Sequence, residues 1–273
     1  MKSTAALLIL FLPIILIAGP PKTEPTNAAE AAAKKEAALA EVDVKYQAWA
    51  ATLTPPHQAW EKVLQDNLGS FYLPLHKQDK VQGRANAWDF VEDDPALPRV
   101  LLIGDSVSRG YTMSTRKALS GKANVHRAPA NCGPTAQGVE KLNVWLGDGK
   151  WDVIHFNFGI HDRATPLADY ESRLRQIVER LAATGAKLIW ATTTPVPDTT
   201  DKKYTAAPIV ERNAVAARVM AEKGVAVNDL FSAVTPNLAS MQNPDDVHFN
   251  EGGYQFLGGK VAVAIEETLA AVK

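Results

Sequence analysis

From residue 99 onward, the chain alternates short apolar runs with longer segments in which apolar residues recur at helical spacing. The runs are four to six residues long and predominantly apolar, without the strict alternation of a half-exposed strand. Strands of this kind separated by helices predict a parallel sheet covered by helices on both faces. We predict strands at Val100–Ile103, Asn124–Arg127, Val153–Phe158, Leu188–Thr193 and Val225–Asn228.

The segments between the predicted strands carry the helical signal. In the clearest of them, residues 167–183, five apolar residues share one helical face. Pro166 in the first turn and Gly185 past the end match the preferences of helix termini. Two more helices are predicted over 209–223 and about 253–272. The shared face of the first helix consists of Tyr170, Leu174, Ile177, Val178 and Leu181.

The residues before 99 follow a different pattern. Ala28–Ala40 is rich in Ala, Glu and Lys, so it favours a helix, and it lacks the heptad of a coiled coil. We therefore interpret it as a helical spacer. Further on, Thr54 followed by two prolines predicts a capped helix start, and apolar residues at helical spacing continue to Leu68.

The first 19 residues resemble a targeting segment. Lys2 precedes the apolar run Ala5–Ala18, and Gly19 follows it. The run is shorter than the roughly 20 residues of a comfortable transmembrane helix. This pattern predicts a secretory signal peptide, with an uncleaved membrane anchor as the alternative. We expect the protein to be exported to the periplasm or secreted, tethered to the membrane only if this segment stays attached.

Composition narrows the function further. The chain is 46% hydrophobic and 22% charged, as in ordinary globular proteins, and its formal net charge is −1. Because nucleic-acid binders carry a basic excess, we expect no nucleic-acid partner. Cys132 is the only cysteine, so no intramolecular disulfide can form. No Cys/His cluster has zinc-ligand spacing, and we expect neither a metal nor a cofactor.

Polar residues follow several of the predicted strands, at the edge where parallel sheets carry their sites. Ser106 follows Gly104 at a strand-to-helix turn, where helix-start N–H groups favour developing negative charge. Its hydroxyl needs a base, and His248 near the C-terminus is the best candidate. Asp245, three residues earlier, can hold the imidazole, with Asp246 as the alternative.

The oxyanion formed by serine attack also needs donors. The N–H groups of Ser106 and Gly133, in the loops after the first two strands, are candidates. Each feature has a simpler interpretation, since Asp-x-x-His occurs in ordinary turns and Asn131 and Gly133 are common turn residues. Their joint occurrence along one sheet edge favours acyl-transfer chemistry.

These motifs resemble those of the SGNH/GDSL hydrolases over residues 99–273. The resemblance implies a three-layer α/β/α, flavodoxin-like fold with a five-stranded parallel sheet, and metal-free ester hydrolysis. His161 stands where that family has an asparagine that donates to the oxyanion, and we predict that its imidazole replaces the amide. The predicted organisation is a signal peptide or anchor (1–19), a linker with the Ala/Glu/Lys-rich helix (20–45), a helical extension (46–98) and the hydrolase domain (99–273). The motifs are Gly104-Asp105-Ser106, Gly133, Gly159-Ile160-His161-Asp162 and Asp245-x-x-His248.

An exported enzyme of this family, without a long apolar lid segment, suits O-acetyl groups on carbohydrate. A small-molecule or polysaccharide ester is then the expected partner. Arg109, Asn131 and Arg163 follow three of the strands and are candidate substrate contacts. The alternatives are a lipid esterase or thioesterase, and a carbohydrate-binding module that keeps the fold without catalysis.

Overall fold

The structure is a computed structural model that describes residues 27–201 and 203–271. The chain divides into two compact units, residues 1–41 and 42–273. In the first unit, the described residues are helical, and the side chains at 28–41 are exposed. The predicted signal peptide or anchor at 1–19 lies outside the described residues. Within the described ranges, no helix combines the length and hydropathy needed to cross a membrane.

The second unit is built on a five-stranded parallel sheet with strand order β2-β1-β3-β4-β5. Every predicted strand is present, although β3 and β4 end two residues early. At these ends the Asn157 side chain donates to the Ala191 carbonyl at 2.8 Å, while backbone bonds still run from the Asn157 N–H to the Ile103 carbonyl and from the Thr192 N–H to the Asn228 carbonyl. The strands are β1 (Arg99–Ile103), β2 (Asn124–Arg127), β3 (Val153–Phe156), β4 (Lys187–Ala191) and β5 (Ala226–Asn228).

Helices connect the strands and precede the sheet. The three periodic segments predicted as helices are helical to within two residues at each end. Two 3-10 turns, Ile160–Asp162 and Thr235–Asn237, complete the described elements. The α-helices are α1 (Asn27–Ala50), α2 (Pro55–Asn67), α3 (Gly69–Val81), α4 (Ser106–Ala118), α5 (Thr135–Leu146), α6 (Leu167–Ala182), α7 (Ala207–Lys223), α8 (Leu230–Val234), α9 (Leu238–Met241) and α10 (Glu251–Ala270).

The core lies in two layers because successive strand residues point to opposite faces of the sheet. Leu102 of β1 joins a buried cluster with Leu257 of α10. Its neighbour Leu101 joins a second cluster with Leu142 of α5 and Ile177 of α6. The prediction of an α/β/α sandwich with a flavodoxin-like sheet is confirmed.

The helical extension has its own small core around a buried carboxylate. Tyr46 Oη donates to Glu61 Oε2 at 2.6 Å, and His76 Nε2 lies 2.8 Å from the same oxygen. Helix α1 runs on to Ala50, across the boundary we drew at 45/46. Thr54 does precede α2, but its side chain makes no capping hydrogen bond, so that detail of the prediction is wrong.

Candidate active site

The nucleophile candidate lies at the junction of β1 and α4. Asp105 adopts an extended conformation and accepts a hydrogen bond from the Val107 N–H at 2.9 Å, which caps α4. Ser106 is therefore the first residue of the helix, directly beyond the carboxyl end of a central strand. A side chain there lies beside helix-start N–H groups.

His248 meets Ser106 across 142 positions of sequence. Ser106 Oγ and His248 Nε2 are 2.8 Å apart. On the other side of the ring, His248 Nδ1 lies 2.9 Å from Asp246 Oδ1. A hydroxyl, an imidazole and a carboxylate in series are the arrangement by which a serine hydroxyl is deprotonated for attack.

The carboxylate is Asp246 and not Asp245, so our assignment of Asp245 as the residue that orients His248 is wrong. Asp245 is exposed and has φ 53°, a left-handed turn conformation that aspartate tolerates. The turn is closed by hydrogen bonds from Asn243 N–H to the His248 carbonyl and from Asp246 N–H to the Asn243 carbonyl. Within this turn the carboxylate two residues before the histidine reaches the ring.

The protonation of the pair follows from Asp246. Its partial burial opposes ionisation, but hydrogen bonds from His248 and from the Val247 N–H hold the pKa of this carboxyl below its usual range. An ionised carboxylate only accepts hydrogen bonds, so His248 Nδ1 carries the proton. Nε2 is then the lone-pair nitrogen and accepts from the Ser106 hydroxyl, as a general base requires.

Two backbone N–H groups, in the turns that follow β1 and β2, have no hydrogen-bond acceptor among the described residues. In the described part of the chain, no acceptor receives the N–H of Ser106 or that of Gly133. Gly133 has φ 53°, in the left-handed region that favours glycine. Both N–H groups are available to hold an oxyanion.

His161 lies in the 3-10 turn that follows β3, and its side chain is exposed. No hydrogen bond joins its imidazole to Ser106 or His248 in this structure. Its role as a third oxyanion donor therefore stays a prediction. The next residue, Asp162, is fully buried and accepts from Thr135 through both the N–H, at 2.8 Å, and the hydroxyl, at 2.7 Å.

Two positioning residues were missed by our sequence analysis. Asp162 fixes the first turn of α5, and thus the loop that carries Gly133. Arg127, 1% exposed at the end of β2, donates to the carbonyls of Gly104 and Asp105 at 2.9 Å each. It also contacts Ser108 Oγ. The sequence did contain a signal for Arg127, since it is the last residue of an otherwise buried strand. A buried guanidinium must find hydrogen-bond acceptors nearby.

The three candidate substrate contacts have different surroundings. Asn131 has a buried side-chain oxygen without a partner among the described residues. Arg163 donates to the Ile160 carbonyl at 3.1 Å and stacks on Tyr204. Arg109 stacks on Tyr72 and Trp88. Cys132, by contrast, is buried, and burial raises the pKa of its thiol to about 12, so it remains a neutral core residue.

A cleft of about 700 Å³ lies elsewhere, along the edge strand β2. Trp60, Trp145 and Trp151 line it. Arg127, which donates to the carbonyls of the nucleophile turn, lines it as well. Neither Ser106 nor His248 lines this cleft.

The fold and these contacts point to a hydrolase with Ser106 at its candidate site. The family model of the GDSL-like lipase/acylhydrolase family matches residues 102–256. The chain belongs to this family, which is the SGNH/GDSL family that our motifs predicted, and it is an ester hydrolase. A comparison with curated protein sequences found no match.

Solved structures share the fold of the hydrolase domain. A lipase/acylhydrolase from Enterococcus faecalis is 22% identical, with a TM-score of 0.57 over 62% of this chain and 96% of that one. The acetyl xylan esterase AlAXEase is 15% identical, with a TM-score of 0.54 over 61% and 99%. An acetylxylan esterase from Geobacillus stearothermophilus is 16% identical, with a TM-score of 0.52 over 63% and 94%. At these low sequence identities, the similarity establishes a shared fold.

Proposed function

We propose that this protein is an exported esterase that removes O-acetyl groups from carbohydrate through an acyl-enzyme on Ser106. The observation that carries the proposal is the 2.8 Å contact between Ser106 Oγ and the lone-pair nitrogen of His248. The N–H groups of Ser106 and Gly133, in the turns that follow β1 and β2, have no acceptor among the described residues. A hydroxyl, a base and free donors at one point are what acyl transfer needs.

The reaction has two halves. His248 Nε2 takes the Ser106 proton as the hydroxyl oxygen attacks the ester carbonyl, while Asp246 stabilises the imidazolium through Nδ1. The N–H groups of Ser106 and Gly133 hold the oxyanion, with His161 as the proposed third donor. The alcohol leaves with the proton from His248, and water deprotonated by His248 then releases the acid and frees Ser106.

The substrate assignment draws on three features. The apolar segment at 1–19 favours export, where polysaccharides are accessible substrates. Two proteins that share the fold are acetylxylan esterases by name. Arg109 on α4 and Asn131 in the loop after β2 each have a buried polar atom without a hydrogen-bond partner among the described residues, and such polar groups suit a hydroxylated alcohol better than an acyl chain.

The test measures acetate release from a panel of acetylated polysaccharides, with Ser106→Ala as the blank. We expect release by the wild-type chain and a loss of about 10⁴-fold or more in Ser106→Ala. Folding of the variant is checked by its thermal unfolding. A folded Ser106→Ala protein that releases acetate as fast as wild type would disprove the proposal.

A lipid esterase or thioesterase is the second candidate, because one fold neighbour is described as a lipase/acylhydrolase. A series of 4-nitrophenyl esters from acetyl to octanoyl separates the two. A deacetylase is fastest on acetyl, whereas a lipid esterase gains kcat/KM as the chain lengthens.

A further inference from the structure

Arg109 lies one helical turn after Ser106 on α4, and residues three apart on a helix have neighbouring side chains. Its guanidinium is 5.4 Å from the ring centre of Tyr72 and 5.9 Å from that of Trp88. Tyr72 belongs to α3, and Trp88 to the irregular segment before β1. The helical extension therefore brings two aromatic rings to the helix that carries the nucleophile.

The bonding of Arg109 differs from that of the other arginines. Within residues 27–201 and 203–271, it is the one arginine whose side chain donates no hydrogen bond and forms no ion pair, and its Nε is buried. Arg127, for comparison, donates to the backbone carbonyls of Gly104 and Asp105. The arginines that do have acceptors or acidic partners are Arg84, Arg99, Arg116, Arg127, Arg163, Arg173, Arg175, Arg180, Arg212 and Arg218.

An arginine that is stacked on rings and forms no ion pair keeps its fork of donors open to a ligand. Stacking on Tyr72 and Trp88 restrains the guanidinium, so little side-chain entropy remains to be lost on binding. The planar fork matches the two oxygens of a carboxylate better than any neutral sugar hydroxyl.

We propose that Arg109, supported by Tyr72 and Trp88, binds a carboxylate on the alcohol part of the ester. The substrate class is then an acetylated acidic carbohydrate, of which a uronic-acid glycan is the type. The inference rests on the proposed function, since the acetyl group is neutral and the charge must be carried by the alcohol. It makes the helical extension part of the substrate site.

The test compares phenyl acetate with 4-acetoxybenzoate, which adds one carboxylate to the alcohol part. The quantity measured is the ratio of kcat/KM for the acidic ester to that for the neutral ester. We expect this ratio to fall at least tenfold in Arg109→Gln, through KM, and to fall less in Arg109→Lys. A tenfold change corresponds to about 1.4 kcal/mol. The matched control is Arg218→Gln on α7, where Arg218 pairs with Glu171, and its ratio equals that of wild type.

A binding measurement provides a second readout. Ser106→Ala should bind 4-acetoxybenzoate by calorimetry, and the double variant Ser106→Ala/Arg109→Gln should bind it at least tenfold more weakly. If Arg109→Gln does not fold, Tyr72→Leu removes one stacking ring and should lower the same ratio. An unchanged ratio in the folded Arg109 variants overturns the inference and leaves the proposed function intact. Failure of the wild-type chain to hydrolyse either ester overturns both.

Discussion

Two histidine–carboxylate pairs in this molecule have nearly the same geometry and different surroundings. In the helical extension, His76 Nε2 lies 2.8 Å from Glu61, and both side chains are at most 1% exposed. At the sheet edge, His248 Nδ1 lies 2.9 Å from Asp246, and the two side chains are 36% and 37% exposed. The distances do not distinguish a structural pair from a catalytic one.

The third group distinguishes them. Glu61 also accepts from Tyr46, and burial, followed by that hydrogen bond, raises the pKa of the Tyr46 hydroxyl, so Tyr46 keeps its proton and the cluster ties α1, α2 and α3 together. The other nitrogen of His248 faces Ser106, a hydroxyl at a strand end beside unpaired N–H groups. A buried and satisfied pair stabilises the fold, and a half-exposed pair next to a nucleophile can perform chemistry.

The largest effect should come from the carboxylate at the sheet edge. Asp246→Asn replaces the acceptor of the Nδ1 proton with an amide that can favour the wrong tautomer of His248. We expect kcat/KM for phenyl acetate to fall about 10²-fold to 10⁴-fold, with thermal stability near that of wild type. The matched control is Asp245→Asn, one residue away and exposed, which should stay within about threefold. A larger loss in Asp245→Asn than in Asp246→Asn would restore the assignment to Asp245.

His161, which has no carboxylate partner among the described residues, can be compared with His76 and His248, which have one. If His161 donates to the oxyanion, His161→Ala should lower kcat about 10²-fold. His161→Asn should retain more activity than the alanine variant, because an amide N–H can donate in the same place. His126→Ala serves as the control. It removes a histidine of β2 that pairs with Asp93. Turnover within a few-fold of wild type in His161→Ala would mean that His161 takes no part in the reaction.

The smallest effect on turnover should come from the buried pair, which affects stability instead. Glu61→Gln removes the buried carboxylate that both Tyr46 and His76 contact and should lower the free energy of unfolding by about 3 kcal/mol. The kcat/KM for phenyl acetate should stay within about twofold of wild type at temperatures where the variant is folded. Glu140→Gln, an exposed change on α5, should alter neither quantity. A tenfold loss of activity in folded Glu61→Gln would remove the distinction between the two pairs.

The pH dependence of this stability difference has a definite sign. Burial opposes the charge on Glu61, but hydrogen bonds from His76 and Tyr46 and the charges of His76 and His57 bring its pKa below the ordinary value of 4.5. A carboxyl whose pKa is lower in the folded state stabilises the fold fully above its ordinary pKa. The difference in unfolding temperature between wild type and Glu61→Gln should therefore shrink as the pH falls below 4.5. Growth of the difference at low pH would contradict this assignment.

Much of the fold followed from local patterns. Each apolar run became a strand because burial of both sheet faces leaves few alternatives for such a segment, and helix starts and ends followed proline and glycine. Strands β3 and β4 were each predicted to end two residues too late; side-chain hydrogen bonds of Asn157 and Thr192, which have no periodicity, mark the observed ends. The wrong Asp245 assignment has a similar cause, since the spacing rule assumed one turn geometry and the φ of Asp245 created another.

The sequence by itself determined the order of the elements, the parallel sheet and the candidates for the nucleophile and its base, because periodicity and strand ends are local properties. The tertiary structure alone decided which aspartate meets His248, that Arg127 and Asp162 hold the two oxyanion loops, and that Arg109 has rings but no acceptor. Those facts depend on side chains that are distant in the chain and meet only when the sheet has formed. Bonding partners across such separations are set by packing, which no local pattern records.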